Sequence, residues 1–315
     1  MANGVQWTVP TLPTQSVDMP IQVHYPHFST SAIHGGIVDC VAFYGDQILS
    51  RACHDNVIVL WEILGFSSQD PPPPTELAPL PRIPRPNDQD ATQFTRSAFV
   101  PIVSPQCPLQ YDRRMQFHTP KCDEFFFVRF QLFHQASRHP VLAFANPAGE
   151  IFFWDFARFG VYREVMARLQ DPLLDTEKGV PLPPWLSKPP RTSGPGGKPK
   201  GTAGVGVGGG NGGSGSGRVA QGENRSVVHN LKDLDPKLLA EWDSMYAIRD
   251  RDHALEAHHR IEVSVKDTDG PRRSRLWAAP FVGRQATWSP GGEWCVVAGS
   301  LNVVFVLRRW EKTAS

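Results

Sequence analysis

Residues 37–62 run Ile37-Val38-Asp39-Cys40-Val41-Ala42-Phe43, then, past a tight turn, Gln47-Ile48-Leu49, then His54-Asp55-Asn56-Val57-Ile58-Val59-Leu60-Trp61-Glu62. Short apolar runs broken by turn residues are strand signals. The same order recurs twice. Phe126-Phe127-Val128-Arg129-Phe130 and Val141-Leu142-Ala143-Phe144 lead to Glu150-Ile151-Phe152-Phe153-Trp154-Asp155. Further on, Gln285-Ala286-Thr287-Trp288-Ser289-Pro290 and Trp294-Cys295-Val296-Val297-Ala298 lead to Val303-Val304-Phe305-Val306-Leu307. Such units predict an all-β chain of WD-repeat β-propeller blades, each ending in an outer strand with a Trp-Asp-like pair. Propellers usually present a binding face rather than a reaction centre.

Bulk composition narrows the class. Of 315 residues, 40% are hydrophobic, enough for a core, but 27 Gly and 30 Pro leave much of the length unpacked. The 32 basic and 31 acidic residues nearly cancel, which gives no case for nonspecific or direct sequence-specific DNA binding. No apolar run reaches membrane-spanning length, so no membrane contact is expected. The opening MANGVQWTVP lacks signal-peptide architecture. Five scattered cysteines, Cys40, Cys53, Cys107, Cys122 and Cys295, form no CxxC and fit a reducing compartment.

The chain divides into residues 1–20, the tail of a preceding blade through Val5-Gln6-Trp7-Thr8-Val9-Pro10; 21–63, a blade; and 64–112, a Pro-rich loop. Then come 113–160, a blade; 161–230, a low-complexity disordered insert; and 231–315, a helix and the last blade. The insert is almost pure Gly and Ser in its second half and cannot bury enough apolar surface to order itself. Asp235 and Pro236 suit a helix start, with Leu238, Trp242 and Met245 on one face. Ile261, Val263 and Val265 alternate as a strand that opens the third blade. Propellers close with about four to eight blades, so about three blades read as the C-terminal part of a larger one lacking its N-terminal blades.

Candidate sites are few. Gly204-Val205-Gly206-Val207-Gly208-Gly209 matches a dinucleotide-binding glycine pattern but has no strand before it and no helix after it. His253, His258 and His259 near Glu256 lack metal-ligand spacing and read as a solvated helix end. Arg249, Asp250, Arg251 and Asp252 read as a charged helical face. No catalytic residue, metal or cofactor is expected. His34 and Asp55 suit the hydrogen-bonded blade turn of WD repeats, with Asp55 six residues before Trp61 and with Trp154 the counterpart in the next blade. The matching turns hold Ala148 and Asn302, so the repeats are degenerate. Phe125-Phe126-Phe127 cannot all enter one core if they form a strand, because alternate side chains point oppositely. With Arg129 and Arg284 in neighbouring segments, an aromatic site for a cation is a candidate beside plain core packing.

A family resemblance adds to this. His24-Tyr25-Pro26-His27-Phe28-Ser29-Thr30-Ser31-Ala32-Ile33-His34, Val38-Asp39-Cys40-Val41 and Gly45-Asp46-Gln47-Ile48-Leu49-Ser50 closely resemble the extra sex combs / embryonic ectoderm development (EED) family. Cys122-Asp123, Val128-Arg129-Phe130, Ile151-Phe152-Phe153-Trp154-Asp155, Arg284-Gln285 and Thr287-Trp288-Ser289 continue the match in order. The resemblance implies a seven-bladed WD-repeat propeller in Polycomb repressive complex 2. Such a subunit is a nuclear, non-catalytic scaffold for transcriptional repression that reads trimethyl-lysine on the histone H3 tail. Its expected partners are a SET-domain histone methyltransferase subunit and other Polycomb complex subunits. It places Phe126 and Phe127 at cage positions held in the family by Trp and Tyr, with Arg129, Asp39 and Arg284 lining the pocket. The family's other cage aromatics come from earlier blades. The alternative is a WD-repeat interaction adaptor unrelated to chromatin.

Overall fold

The structure is a computed structural model describing residues 26–71, 73, 95–99, 110–136, 138–171, 173, 178–186, 227–263 and 281–310. In chain order the strands are β1 (Phe28–Thr30), β2 (Val38–Tyr44), β3 (Gln47–Ala52), β4 (Val57–Ile63), β5 (Thr95–Ser97), β6 (Tyr111–His118), β7 (Gln131–Gln135), β8 (Arg138–Ala145) and β9 (Glu150–Asp155). Helix α1 (Phe156–Gln170) follows, then β10 (Val180–Pro181), β11 (Val227–Val228) and α2 (Pro236–Tyr246). The chain goes on with β12 (Ala254–Leu255), β13 (His259–Glu262), β14 (Gly283–Trp288), β15 (Trp294–Gly299) and β16 (Val304–Arg308).

Three sheets carry the architecture: β12-β6-β4-β3-β2, β13-β9-β8-β7 and β14-β15-β16. Each begins with an antiparallel meander, the strand order of a WD blade. The fourth strand arrives late, which corrects three expectations. Trp61 and Trp154 lie on third strands, because β6 pairs outside β4 and β13 outside β9. Residues 111–118 therefore close the first sheet instead of opening a second blade. Likewise Ile261 lies opposite Ile151 on the outer edge of the second sheet and does not open the third. Val5–Pro10 and the glycine pattern at 204–209 lie outside the described residues, as does Val265.

Period-two alternation explains why these strands read as continuous apolar runs. On β8 and β9, Leu142, Phe144, Phe152 and Trp154 pack into the core shared with the first sheet, where Leu49, Ile58, Leu60 and Phe117 join them. Val141, Ala143, Ala145, Ile151 and Phe153 face the third sheet through Phe281, Ala286, Cys295 and Val297. A sheet covered on both faces has no polar side to reveal its period. The outer faces differ: Val41 and Phe43 on β2 and Val304 and Val306 on β16 are exposed.

The expected disordered insert starts in the wrong place. Residues 156–170 form α1, capped by Asp155, whose side chain accepts from the Ala157 N–H at 3.1 Å. Tyr162, Val165 and Leu169 lie at helical spacing against Trp242, Met245 and Tyr246 of α2, joined by Val180, Leu182 and Leu186. Val180 pairs with Val228 and Pro181 with Val227, so two segments either side of the Gly/Ser-rich stretch, which lies outside the described residues, meet in one two-residue ladder. Long insertions between adjacent ends cost little closure entropy. Helix α2 ends at Tyr246, so Arg249–Asp252 are not a helical face.

Candidate functional site

At the entry to the first sheet, His34 Nδ1 lies 2.6 Å from an Asp55 carboxylate oxygen and its Nε2 lies 2.7 Å from Ser50 Oγ, which also accepts from Trp61 Nε1 at 2.9 Å. Indole N–H only donates, so the Ser50 hydroxyl is free to donate to His34 Nε2, and His34 Nδ1–H then donates to Asp55. Burial holds the imidazole below its usual pKa although Asp55 pulls the other way, and the neutral ring suits this relay. Gly36 is needed beside it, since a Cβ there would sit 2.0 Å from the Cys53 carbonyl oxygen. Replacing Asp55 by Ala strands the His34 N–H and removes an acceptor for the Gly35 N–H. The expected cost is on the order of 1–3 kcal/mol, read as a lower urea midpoint. An unchanged midpoint would contradict the relay.

The second sheet has no such relay. Asn146 takes over its turn, accepting from the Ala148 and Glu150 N–H groups and donating to the Glu150 carboxylate and the Pro120 carbonyl. Trp154 Nε1 donates to the Leu255 carbonyl at 3.1 Å. Gly149, at φ +80, completes the turn in a conformation that favours glycine.

Between β6 and β7 the chain crosses the ends of all three sheets. Asn56 anchors the crossing: its side-chain oxygen accepts from the Cys122 and Asp123 N–H groups. Phe125, Phe126 and Phe127 then run as irregular loop, 43%, 37% and 64% exposed. The strand expected there is absent, so all three rings reach solvent. Phe127 adopts φ 58, a left-handed conformation that costs a bulky residue free energy.

Three side chains hold that loop. Arg51 donates to the Phe125 carbonyl at 3.2 Å, Arg284 to the Phe126 carbonyl at 2.8 Å, and Asp39 accepts from the Phe127 N–H at 2.8 Å. Arg51 also grips both Asp39 oxygens at 3.0 and 2.9 Å. The two side chains are 1% and 5% exposed. Asp39 and Arg284 each sit where the strand register shifts, between Val38 and Cys40 and between Gly283 and Gln285. A bulge adds a residue to one strand and re-aims its side chain. Both bulges here turn a polar group onto the aromatic loop.

The rings form an open aromatic surface. Phe126 and Phe127 lie 6.3 Å apart at 47°, His54 meets Phe126 edge-on at 6.3 Å, and the Arg284 guanidinium lies 6.0 Å from the Phe125 ring centre. Arg129 is exposed and joins the sheets through its backbone, its N–H donating to the Arg284 carbonyl at 2.9 Å. Thus Asp39, Phe126, Phe127, Arg129 and Arg284 come together in one region. His34, Asp55 and Trp61 belong to the separate relay, and Trp154 to the core. Burial raises the Cys40 and Cys122 thiols to about 11, which keeps them protonated. Sequence reading missed Arg51, although an arginine inside the strand Gln47–Ala52 was a signal of a buried partner. The solvated reading of His258 and His259 is also overturned: His258 is buried, accepting from the Asp155 N–H at 2.8 Å, with its other ring nitrogen 3.1 Å from the Met245 carbonyl oxygen.

No protein-family model matches the chain. Individual proteins do. Over 362 residues it is 36% identical to Polycomb protein EED of Chaetomium thermophilum, covering 97% of this chain and 60% of that relative. Polycomb protein esc of Musca domestica is 30% identical over 135 residues, 43% of this chain and 23% of that protein. A chain of the Chaetomium thermophilum polycomb repressive complex 2 crystal structure superposes with a TM-score of 0.68 at 37% identity, covering 96% of this chain and 57% of its own length. A chain of the same organism's complex with H3K27me3 and H3K27M gives 0.68 at 36% identity, with 96% and 57% covered. The chain thus spans about three-fifths of the curated relative matched along nearly its whole length. Sequence and fold agree over that span, and the chain is similar to the EED / extra sex combs proteins along nearly its whole length.

Proposed function

We propose that this chain forms the C-terminal part of a seven-bladed WD-repeat propeller acting as a non-catalytic reader and scaffold. Its ligand is trimethyl-lysine on the histone H3 tail. Its partners are a SET-domain histone methyltransferase subunit and other Polycomb subunits, in the nucleus, in transcriptional repression. The observation that carries the reading is the Phe125–Phe127 loop, whose backbone is fixed by Asp39, Arg51 and Arg284 so that its rings stay in solvent. A trimethylammonium group is large, weakly hydrated and unable to donate hydrogen bonds. Ring faces attract it, and it loses little on leaving water. The Arg51 charge is already met by Asp39, while Arg129 and Arg284 offer donors for peptide carbonyls. The similarity to chains of polycomb repressive complex 2, including one in complex with H3K27me3, supports the same ligand class.

Isothermal titration tests this in a protein spanning the full length of the relatives. An H3 peptide trimethylated at the Polycomb lysine binds, and the unmethylated peptide binds much more weakly. Phe127→Ala weakens the methylated complex by about 0.5–2 kcal/mol, and Phe126→Trp tightens it. Equal affinity for the two peptides would instead favour an interaction adaptor.

A further inference from the structure

A second site lies at the opposite ends of β8 and β9. There, a cavity of about 820 Å³ opens between the start of α1, Trp185, the start of β8 and the C-terminal side of β16. Among the described residues, two arginines in its wall carry nitrogens with nothing to bond. Arg158 is 7% exposed. Its guanidinium stacks between Trp185 at 5.1 Å and Trp310 at 5.7 Å. One terminal nitrogen donates to His259 Nε2 at 2.9 Å, and Nε is buried without a partner, 3.9 Å from the Asp155 carboxylate. Asp155 already caps α1. Across Trp310 lies Arg309, 5.7 Å from the same indole and 5.6 Å from Phe133. One of its terminal nitrogens donates to the His139 carbonyl at 3.0 Å, and the other is buried and unpaired.

The charges do not balance either. Glu293 is engaged by Arg138 at 2.7 Å. His259, pushed down to about 4 by burial and by Arg158, is a neutral acceptor and cancels no charge. Among the described residues, only the Asp155 carboxylate faces Arg158, beyond hydrogen-bond distance. Buried cations and unmade hydrogen bonds are both costly, and a doubly charged oxyanion relieves both, because guanidinium forks match its geometry.

We propose that this cavity binds a phosphate group through Arg158 and Arg309, with Trp185 and Trp310 as its walls. The site is independent of the aromatic loop and of the reading built on that loop. The phosphate is either the free ion or one carried on a protein side chain; the volume suffices for both.

The full chain is titrated with inorganic phosphate, and separately with a phosphoserine peptide and its unphosphorylated form, against sodium chloride at matched ionic strength. Melting temperature and tryptophan fluorescence are read. Phosphate raises the melting temperature saturably and changes the tryptophan emission; chloride does neither. Arg158→Met and Arg309→Gln each weaken binding roughly tenfold or more, the loss expected for a charge-assisted hydrogen bond. Arg309 is only half-buried, so its variant keeps the test alive if Arg158→Met misfolds. A phosphopeptide that binds more tightly than inorganic phosphate assigns the site to a protein-borne group, and the reverse order assigns it to the free ion. No response beyond chloride, or the same response in wild type and Arg309→Gln, would overturn the proposal.

Discussion

Replacing Arg51 by methionine lowers stability by about 3–5 kcal/mol, the cost of leaving one member of a buried ion pair alone. The substitution keeps the apolar stem of the side chain and removes the guanidinium. Asp39, with 5% of its side chain exposed, then carries a charge that neither water nor the guanidinium answers. The Phe125 carbonyl loses its donor at the same time. Because Asp39 also holds the Phe127 N–H, the aromatic loop loosens along with the sheet, and the methyl-lysine binding proposed above falls with stability. The double variant Arg51→Met, Asp39→Leu removes both charges, so its cost is less than the sum of the two single costs. Urea denaturation of all four proteins measures the coupling. Additive losses, or a single loss below about 1 kcal/mol, would mean that the pair is not buried as described.

Acidification from pH 7 to 5 destabilises the protein before its carboxylates titrate. Burial and the Arg158 charge hold His258 well below its usual pKa, and the same two causes put His259 at about 4. In the unfolded chain both titrate near 6.5. Below that value the unfolded chain binds protons that the folded one refuses, so stability declines as pH falls. For His259 alone the loss by pH 5 is about 2 kcal/mol. His258 acts in the same direction, since protonating its Nδ1 destroys the acceptor for the Asp155 N–H. His34, also lowered, adds to the trend. His118 opposes it: Glu256 raises its pKa, so that pair stabilises below 6.5 and is lost as pH rises. The pair is half-exposed and its effect is small. Urea midpoints across this window should drop in the wild type and drop less steeply in His259→Gln, where His258 and His34 remain. A flat wild-type profile would exclude neutral buried histidines.

The blade meanders were legible because each packs its own turn into one short run of sequence, and the first two carry a tryptophan on the third strand. The closing strands were not. β6 follows β4 only after the proline-rich stretch, and β13 follows β9 only after two helices, so no local pattern ties them to their partners. Helix α1 was hidden by composition: Gly160 interrupts it, and buried Arg158 sits where an apolar residue would have marked the stripe. Phe125–Phe127 were conspicuous, but their loop conformation depends on Asp39, Arg51 and Arg284, which belong to three distant strands. Arg284 stood out beside the aromatic run, and the resemblance brought Asp39 into view. The two bulges that aim them follow from backbone register, which single-sequence patterns do not encode.

The late arrival of β13 also sets a timetable for biosynthesis. A ribosome extends a chain at roughly 5–20 residues per second, so the hundred-odd residues between β9 and β13 take on the order of 5–20 s to emerge. During that interval Glu150-Ile151-Phe152-Phe153-Trp154-Asp155 can hairpin with β8, but its other edge stays open. An apolar, aromatic, proline-free hexamer with free backbone donors is the kind of template that recruits a neighbouring nascent chain. Folding of α1 immediately behind it, held by the Asp155 cap, packs a bulky helix against β8 and fixes the end of the sheet before the true partner exists. Aggregation on polysomes should therefore be more sensitive to variants that weaken α1 than to variants of β13 itself.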